Sequence, residues 1–395
     1  MPLHVLRGKK EQGMDFQKTE EQELLLQSLK EFIEQNYPDD YFRTCDREHK
    51  YPNEFIKGLT DAGLGLLGLP EEWGGTPVDY LTLVMFCEEV AHYTATSYLT
   101  SYLIYVDDVL AFGTEEQKKV TMELVSQGKP SLCLGISEPQ AGSDNSAMTA
   151  TATKRGDKFY INGHKTFITN APFAPYMLLF TRDLENPKPH SAMTMWFMPM
   201  DKKGVKIETL DKIGWNMRPS SEVYLEDVEL EEKDIIGQPG KGFFQLMKNF
   251  EIERLIMCAG SVGCAQAAFD DAITYARQRV QFGKPIGDNQ LIQEKLVNMA
   301  TKITLMRNFL YQCAWEKEHD IDVRISSALC KRYCSRTGFE VLDDAMQILG
   351  GIGYTNDTRI SRMWRDLRVS SIGGGTDEIM VYIAGRALMK DYKVR

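Results

Sequence analysis

The feature that most constrains the fold is a double change of hydrophobic period along one chain of 395 residues. Up to about Lys129 the apolar residues recur at helical spacing. From Ser131 they come in short β-rich runs, and from Gly242 the helical spacing returns. A stripe repeating every three to four residues suits a helix that buries one face, whereas short runs rich in β-branched and aromatic residues suit strands. Two such switches predict three parts, at residues 14–130, 131–240 and 241–395, in a mainly α chain with a central β-domain. The length agrees with two or three domains.

Local signals refine this. Thr19 with Gln22 three residues on reads as a capping box, after which Leu25, Leu29, Phe32 and Ile33 keep helical register until Pro38 stops it. Pro70, Gly74, Gly75 and Pro77 mark a loop. In the central part, Phe159–Asn162 and Lys165–Thr169 read as two strands joined by the hairpin dipeptide Asn162-Gly163. Runs at Tyr176–Thr181, Met193–Met198, Val205–Ile207 and Glu222–Leu225 extend the pattern to a small β-sandwich or barrel. Four long amphipathic segments, about 242–279, 290–318, 324–349 and 375–390, then predict a helical bundle. Met1–Gly13 carries Arg7, Lys9 and Lys10 without an apolar run, so it reads as a flexible leader rather than a targeting peptide.

Composition removes several function classes. Formal net charge is −10, from 46 basic and 56 acidic residues with no long basic run, which argues against a nucleic-acid partner. No stretch approaches the roughly 18 apolar residues of a membrane span. The eight cysteines form no CxxC pair and the six histidines no HExxH, so the expectation is no metal site, no disulfide framework and a reducing cytoplasm. There is no GxGxxG after a strand and no GxxxxGK[ST]. Three glycine-rich stretches remain: Ala141–Asp144, Gly350–Gly353 and Gly373–Thr376. The residues alone leave two readings of them, as ordinary helix caps and turns or as places where backbone N–H groups cradle a phosphate.

A family resemblance bears on that choice. Gly135-Ile136-Ser137-Glu138-Pro139-Gln140-Ala141-Gly142-Ser143-Asp144 resembles the first signature of the acyl-CoA dehydrogenases. Gln347-Ile348-Leu349-Gly350-Gly351-Ile352-Gly353-Tyr354, with Asp357, Arg362 and Asp366 downstream, resembles the second, and Arg279-Val280-Gln281-Phe282-Gly283 resembles the family's flavin-contacting segment. The match runs in register from about Met14 to Tyr392. Trp364–Arg368 and Gly373–Glu378 point to the bacterial branch containing crotonobetainyl-CoA reductase and the anaerobic β-oxidation dehydrogenases.

The resemblance implies the acyl-CoA dehydrogenase fold: an N-terminal helical domain, a β-sandwich or barrel and a C-terminal four-helix bundle. It also implies FAD, an acyl-CoA or enoyl-CoA substrate, electron-transferring flavoprotein as redox partner and a homotetramer. By position, Ile136, Ser137, Phe167, Ile168 and Thr169 would line the flavin edge, with Phe167 where a Trp is common and Leu134 where an aromatic residue is frequent. Arg279, Gln281 and Phe282 would hold FAD from a neighbouring subunit, with Gln347, Gly350 and Gly351 near its diphosphate and adenosine, and Thr376 and Glu378 touching it from the last turn. Ser143 would contact the CoA thioester and the cofactor side of the site; Glu251 and Arg254 would bind the CoA ligand.

The base is where the chain departs from the family. Removing a thioester α-proton calls for a carboxylate near Cα. Most of the family carries a Glu just before the Gly-Thr of the last turn, and here that position is Gly374. The isovaleryl-CoA branch places its Glu on the first long helix of the last domain, in a pattern matched by Glu253-Arg254-Leu255. Glu253 is thus the expected base, with Glu251, Asp377 and Glu378 as rivals. His164 reads as an exposed turn histidine, Cys133 as an unactivated thiol, and Met193, Met195, Met198 and Met200 as one sheet face. Besides a dehydrogenase or enoyl-CoA reductase, two readings stay open: an acyl-CoA oxidase whose flavin meets oxygen directly, and a non-catalytic FAD-binding assembly subunit that has lost its base.

Overall fold

A computed structural model describes residues 17–94 and 100–392, so the expected leader lies outside the described residues. Helices α1 (Glu20–Asn36), α2 (Asp39–Arg47), α3 (Asn53–Asp61), α4 (Tyr80–Thr94), α5 (Thr100–Phe112) and α6 (Glu115–Val125) come first. The Thr19 box is formed: Gln22 N donates to Thr19 Oγ1 at 3.2 Å and Thr19 N to Gln22 Oε1 at 3.0 Å. Leu29 and Ile33 of α1 are fully buried, and α1 ends just before Pro38, whose ring cannot continue the helix.

The strands follow: β1 (Leu132–Gly135), β2 (Thr151–Arg155), β3 (Lys158–Thr169), β4 (Tyr176–Arg182), β5 (Met193–Pro199), β6 (Val205–Thr209), β7 (Ser220–Glu231) and β8 (Ile235–Ile236). Among the described residues they make two four-stranded sheets, ordered β1-β4-β5-β8 and β2-β3-β7-β6. Both contribute to a shared apolar layer that includes Trp196, Met177, Ile161 and Val228.

Three local expectations are corrected here. Asn162-Gly163 is not a hairpin turn; β3 runs straight through it, with only a register shift against β7 between Ile161 and Gly163. Cross-strand bonds override the dipeptide's turn preference: Asn162 side-chain groups bond Asp227, and a Cβ at Gly163 would meet Ala150 Cβ at 2.5 Å. The hairpin is one step earlier, at Gly156-Asp157 between the paired Arg155 and Lys158, where Gly156 has φ 69°. His164 is accordingly a half-buried strand residue, stacked on Tyr224 and bonded to Glu222 at 2.9 Å. The methionines do not share a face either. Met193 and Met195 pack in one layer and Met198 and Met200 in the opposite one, because an odd step separates the pairs on β5.

Helix α7 (Gly242–Gln278) is followed by the hairpin β9 (Val280–Gln281) and β10 (Lys284–Pro285), then α8 (Gln290–Glu318), α9 (Arg324–Leu349), α10 (Arg359–Leu367) and α11 (Asp377–Asp391). The short α10 lies in a region without a long apolar period. Buried alanines of α7, among them Ala259, Ala265, Ala268 and Ala272, let neighbouring helices approach closely. At Gly263 a Cβ would fall 2.1 Å from the Glu88 carbonyl, so α4 crosses α7 in backbone contact there. The Glu88 side chain is in turn held by Arg307 at 2.8 Å and Tyr311 at 3.0 Å from α8. One apolar core therefore runs through the first helices and the last bundle. Arg362 and Arg365 of α10 reach back to Asp39 and Asp46 of α2, each at 2.6 Å, while Asp366 accepts the Trp215 N–H of the β-region. Arg362 and Asp366 thus serve as ties between the three parts.

Candidate active site

Helix α11 begins at a glycine turn. Thr376 caps it, its Oγ1 accepting from Ile379 N at 3.2 Å, and Gly374 and Gly375 before it have φ 60° and 84°, the left-handed region that favours glycine. Lys331 of α9 holds this turn from behind, donating from its buried Nζ to the Gly375 carbonyl at 2.6 Å. A Cβ added at Gly374 would lie 3.7 Å from Glu253 Oε1 and 2.4 Å from Met257 Sδ. Both of those residues come from α7. The space beside Gly374 is thus filled by a carboxylate and a thioether from the facing helix.

The electrostatics suit proton transfer. Loss of solvation raises the Glu253 carboxyl above its ordinary value, and the nearby Arg254 and Lys331 cations oppose that rise. Tyr105 of α5 adjoins it, and burial followed by the Glu253 charge raises its hydroxyl. Arg254 is buried, with no partner for Nε among the described residues.

Glu251, two residues away, points elsewhere, because neighbours at i and i+2 do not share a helix face. Its Oε2 accepts from Lys317 Nζ at 2.9 Å, in a cleft also lined by Tyr80 and Asp322. Asp377 is buried beside Arg336, and Glu378 is exposed; its own N–H and then the Thr376 hydroxyl lower its carboxyl. Among the described residues neither rival touches Glu253, whereas Gly374 faces it.

The β-region carries the candidates for the flavin edge. A register break between Lys165 and Ile168 makes a bulge in β3, and at its crest Phe167 takes φ 59° and stands 69% exposed. A non-glycine residue in that conformation, with a large apolar ring left uncovered, marks a bulge that aims a side chain for use. Ile168 beside it is buried and Thr169 half-buried. The bulge is pinned to the loop after β1: Thr166 N donates to the Ser137 carbonyl at 2.9 Å and Lys165 Nζ to the Ile136 carbonyl at 3.2 Å.

Beneath it lies a pair that sequence reading passed over. Lys165 and Glu138, both fully buried, meet at 2.7 Å. Burial alone would raise the Glu138 carboxyl, but Lys165 and the N–H groups of Thr149 and Ala150 hold it below the usual range. Asn170, next along, has φ 64° and a buried Oδ1 without a partner among the described residues. Ser143 lies exposed on the loop that Glu138 anchors. Cys133 is buried, and burial pushes its thiol up, in keeping with an unactivated sulfur.

The remaining cofactor candidates lie on the β9–β10 hairpin and at the end of α9. Phe282 and Gly283 form the turn of the β9–β10 hairpin with φ 51° and 81°, and the Phe282 ring is fully exposed. Arg279 and Gln281 flank it, also exposed. Gly350 ends α9 with φ 61°; no atom lies within 4 Å of a Cβ built there or at Gly351, and Gln347 is exposed one turn before. Two open glycines, two uncovered aromatic rings and the unpartnered Asn170 Oδ1 fit a large cofactor with an aromatic ring system and phosphates. Tyr105, Met257 and Lys331 carry no motif of their own, and only the folded chain brings them to Glu253 and the glycine turn.

Family models match along the chain: the acyl-CoA dehydrogenase N-terminal domain over residues 19–129, the middle domain over 133–228 and the C-terminal domain over 240–389. A probable acyl-CoA dehydrogenase of Escherichia coli K12, YdiO, is 51% identical over 381 residues, covering 96% of this chain and 100% of the relative. The structure of butyryl-CoA dehydrogenase from Megasphaera elsdenii superimposes with TM-score 0.89 at 30% identity, covering 95% of this chain and 100% of that one. PigA with FAD and proline gives TM-score 0.89 at 25% identity, covering 95% and 99%. No described helix is long and apolar enough to cross a membrane. With the three domains in family order and a relative at half identity over its full length, the chain belongs to the acyl-CoA dehydrogenase family of FAD-dependent oxidoreductases.

Proposed function

We propose that the protein catalyses α,β-dehydrogenation of an acyl-CoA thioester, or the reverse reduction of an enoyl-CoA, with Glu253 as the base. The observation that carries this is the 3.7 Å between Glu253 Oε1 and a Cβ built on Gly374. The family's usual base would grow from that point, and α7 delivers a carboxylate to the same ground. When bound, FAD supplies the acceptor for the hydride that leaves Cβ.

Every other task falls to the chain. Glu253 takes the α-proton onto a carboxylate oxygen, and its raised pKa makes it a stronger base than a solvated glutamate while Arg254 and Lys331 keep it ionisable. Arg254 and Glu251, with Ser143, would bind and orient the CoA thioester. Ile136, Ser137, Phe167, Ile168 and Thr169 would line the flavin edge, supported by the pinned bulge. Arg279, Gln281 and Phe282 would grip the cofactor of a neighbouring subunit; their exposure in a single chain supports that reading. Gln347, Gly350, Gly351, Thr376 and Glu378 would complete the nucleotide site in a homotetramer. Electron-transferring flavoprotein is the proposed redox partner and the cytoplasm the proposed compartment.

The test is a panel of acyl-CoA and enoyl-CoA esters mixed anaerobically with the purified protein while flavin absorbance is followed. Bleaching by at least one acyl-CoA supports the reading. Steady peroxide formation in air with acyl-CoA alone would favour an oxidase, and no response to any ester would favour a non-catalytic subunit.

A further inference from the structure

The C-terminal bundle gathers three cysteines that the sequence scatters. Cys258 lies on α7, five residues past Glu253, while Cys330 and Cys334, one turn apart on α9, face it. The three Sγ atoms lie within 4.8 Å of one another, with Cys330 and Cys334 at 3.8 Å. All three are buried from water and none forms a disulfide. Cys313 of α8 adjoins Cys330 from outside this triangle.

Those dimensions are those of a metal site. A thiolate–metal bond of about 2.3 Å implies sulfur–sulfur edges of about 4.0 Å for a trigonal ion and about 3.8 Å for a tetrahedral one. Small rotations about the Cys χ1 angles cover the remaining difference. Soft thiolates select soft ions such as Cu(I) and Zn(II) over Mg(II) or Ca(II). The surroundings offer positive charge near Cys258, from Arg254 one turn before it and Lys331 next to Cys330. No carboxylate or imidazole joins the set among the described residues.

We propose that Cys258, Cys330 and Cys334 form a binding site for one soft d10 cation, which ties α7 to α9 directly behind the glycine turn. Binding replaces the three thiol protons, which leave to solvent, and forms three metal–sulfur bonds without redox change. The lack of a fourth ligand in the triangle favours Cu(I). Zn(II), which structural sites hold with four ligands, would need Cys313 as well. The site lies outside the flavin and thioester contacts and does not depend on the proposed reaction.

The experiment uses the FAD-loaded protein, expressed with copper or with zinc supplied, and separately incubated with Cu(I) or Zn(II) under reducing, anaerobic conditions. Metal per chain is measured after desalting, together with competition against a chromophoric chelator and the thermal midpoint. The expected result is one equivalent of cation retained by either route, Cu(I) in preference to Zn(II), with a raised midpoint. Cys258→Ala and Cys334→Ala should each weaken retention at least tenfold, while Cys45→Ala, buried in another part of the core, should not. The flavin spectrum checks that each variant is folded. No retention of either ion by the wild-type protein, by both routes, overturns the proposal whatever the variants do. Retention unchanged in folded Cys258→Ala and Cys334→Ala overturns it too.

Discussion

Moving the base from α7 to the glycine turn asks whether the two positions address the same substrate atom. In Glu253→Gly, loss of the base should slow flavin reduction by about 10²–10⁴-fold, which is about 3–5 kcal/mol of barrier. Gly374→Glu places a new carboxylate on the opposite wall, but the structure sets two obstacles. The φ of 60° at Gly374 costs a non-glycine residue about 1–3 kcal/mol. The new Cβ would also sit 2.4 Å from Met257 Sδ, so that side chain must give way. Met257 is only half-buried, so truncating it costs less than the roughly 2–5 kcal/mol of a fully buried Met→Ala change. Glu253→Gly/Gly374→Glu should therefore recover little, whereas adding Met257→Ala should recover about tenfold or more. In the wild-type background Gly374→Glu should inhibit, because its Cβ would start 3.7 Å from Glu253 Oε1 and two carboxylates crowded into one site raise each other's pKa. The assay is anaerobic stopped-flow bleaching of the flavin with one good acyl-CoA, with FAD content and thermal midpoint measured on each protein. If the triple variant keeps its FAD and midpoint yet reacts no faster than Glu253→Gly, the two positions do not serve one atom and the reasoning fails.

Three further outcomes follow from the geometry. Arg279→Ala should lower FAD retention and oligomer mass together, as read by absorbance and light scattering; loss of neither would remove Arg279 from the cofactor site. Lys165→Met leaves the Glu138 carboxylate buried without its cation, so the protein should lose about 3–5 kcal/mol in denaturant unfolding, and the Phe167 bulge should loosen with it; a loss below about 1 kcal/mol would mean the backbone donors suffice. Asp366, pushed up to about 7 by burial, is favoured in its protonated form by folding. Its contribution is whole below the ordinary carboxylate range near pH 4 and is lost as pH rises to about 7. Asp366→Asn should flatten that part of the stability profile, and an identical profile in both proteins would contradict the assignment.

What the sequence could reveal divides along the range of the forces involved. The long helices and the Thr19 box were legible because period and capping act over a few residues, and the bundle helices match their expected spans closely. The Asn162-Gly163 turn misled because its preference is local, while the bonds to Asp227 and the contact with Ala150 that keep β3 straight come from distant segments. The two faces of the methionine run depend on the odd step between Met195 and Met198, which spacing by pairs conceals. Glu253 could be nominated through register with a related branch, but only the fold brings α7 against the glycine turn. Nothing in the spacing of Cys258, Cys330 and Cys334 signals their triangle, because two helices must pack before the sulfurs meet.

The central claim is that the Glu253 carboxylate removes the substrate α-proton. The most direct measurement compares Glu253→Gln with wild type, mixing each FAD-loaded protein anaerobically with an acyl-CoA that bleaches the wild-type flavin. The amide keeps the shape of the side chain but cannot take a proton, so ester binding, seen as a perturbation of the oxidised flavin spectrum, should be nearly unchanged while bleaching slows by at least about a hundredfold. Bleaching at the wild-type rate in Glu253→Gln would contradict the account and place the base elsewhere.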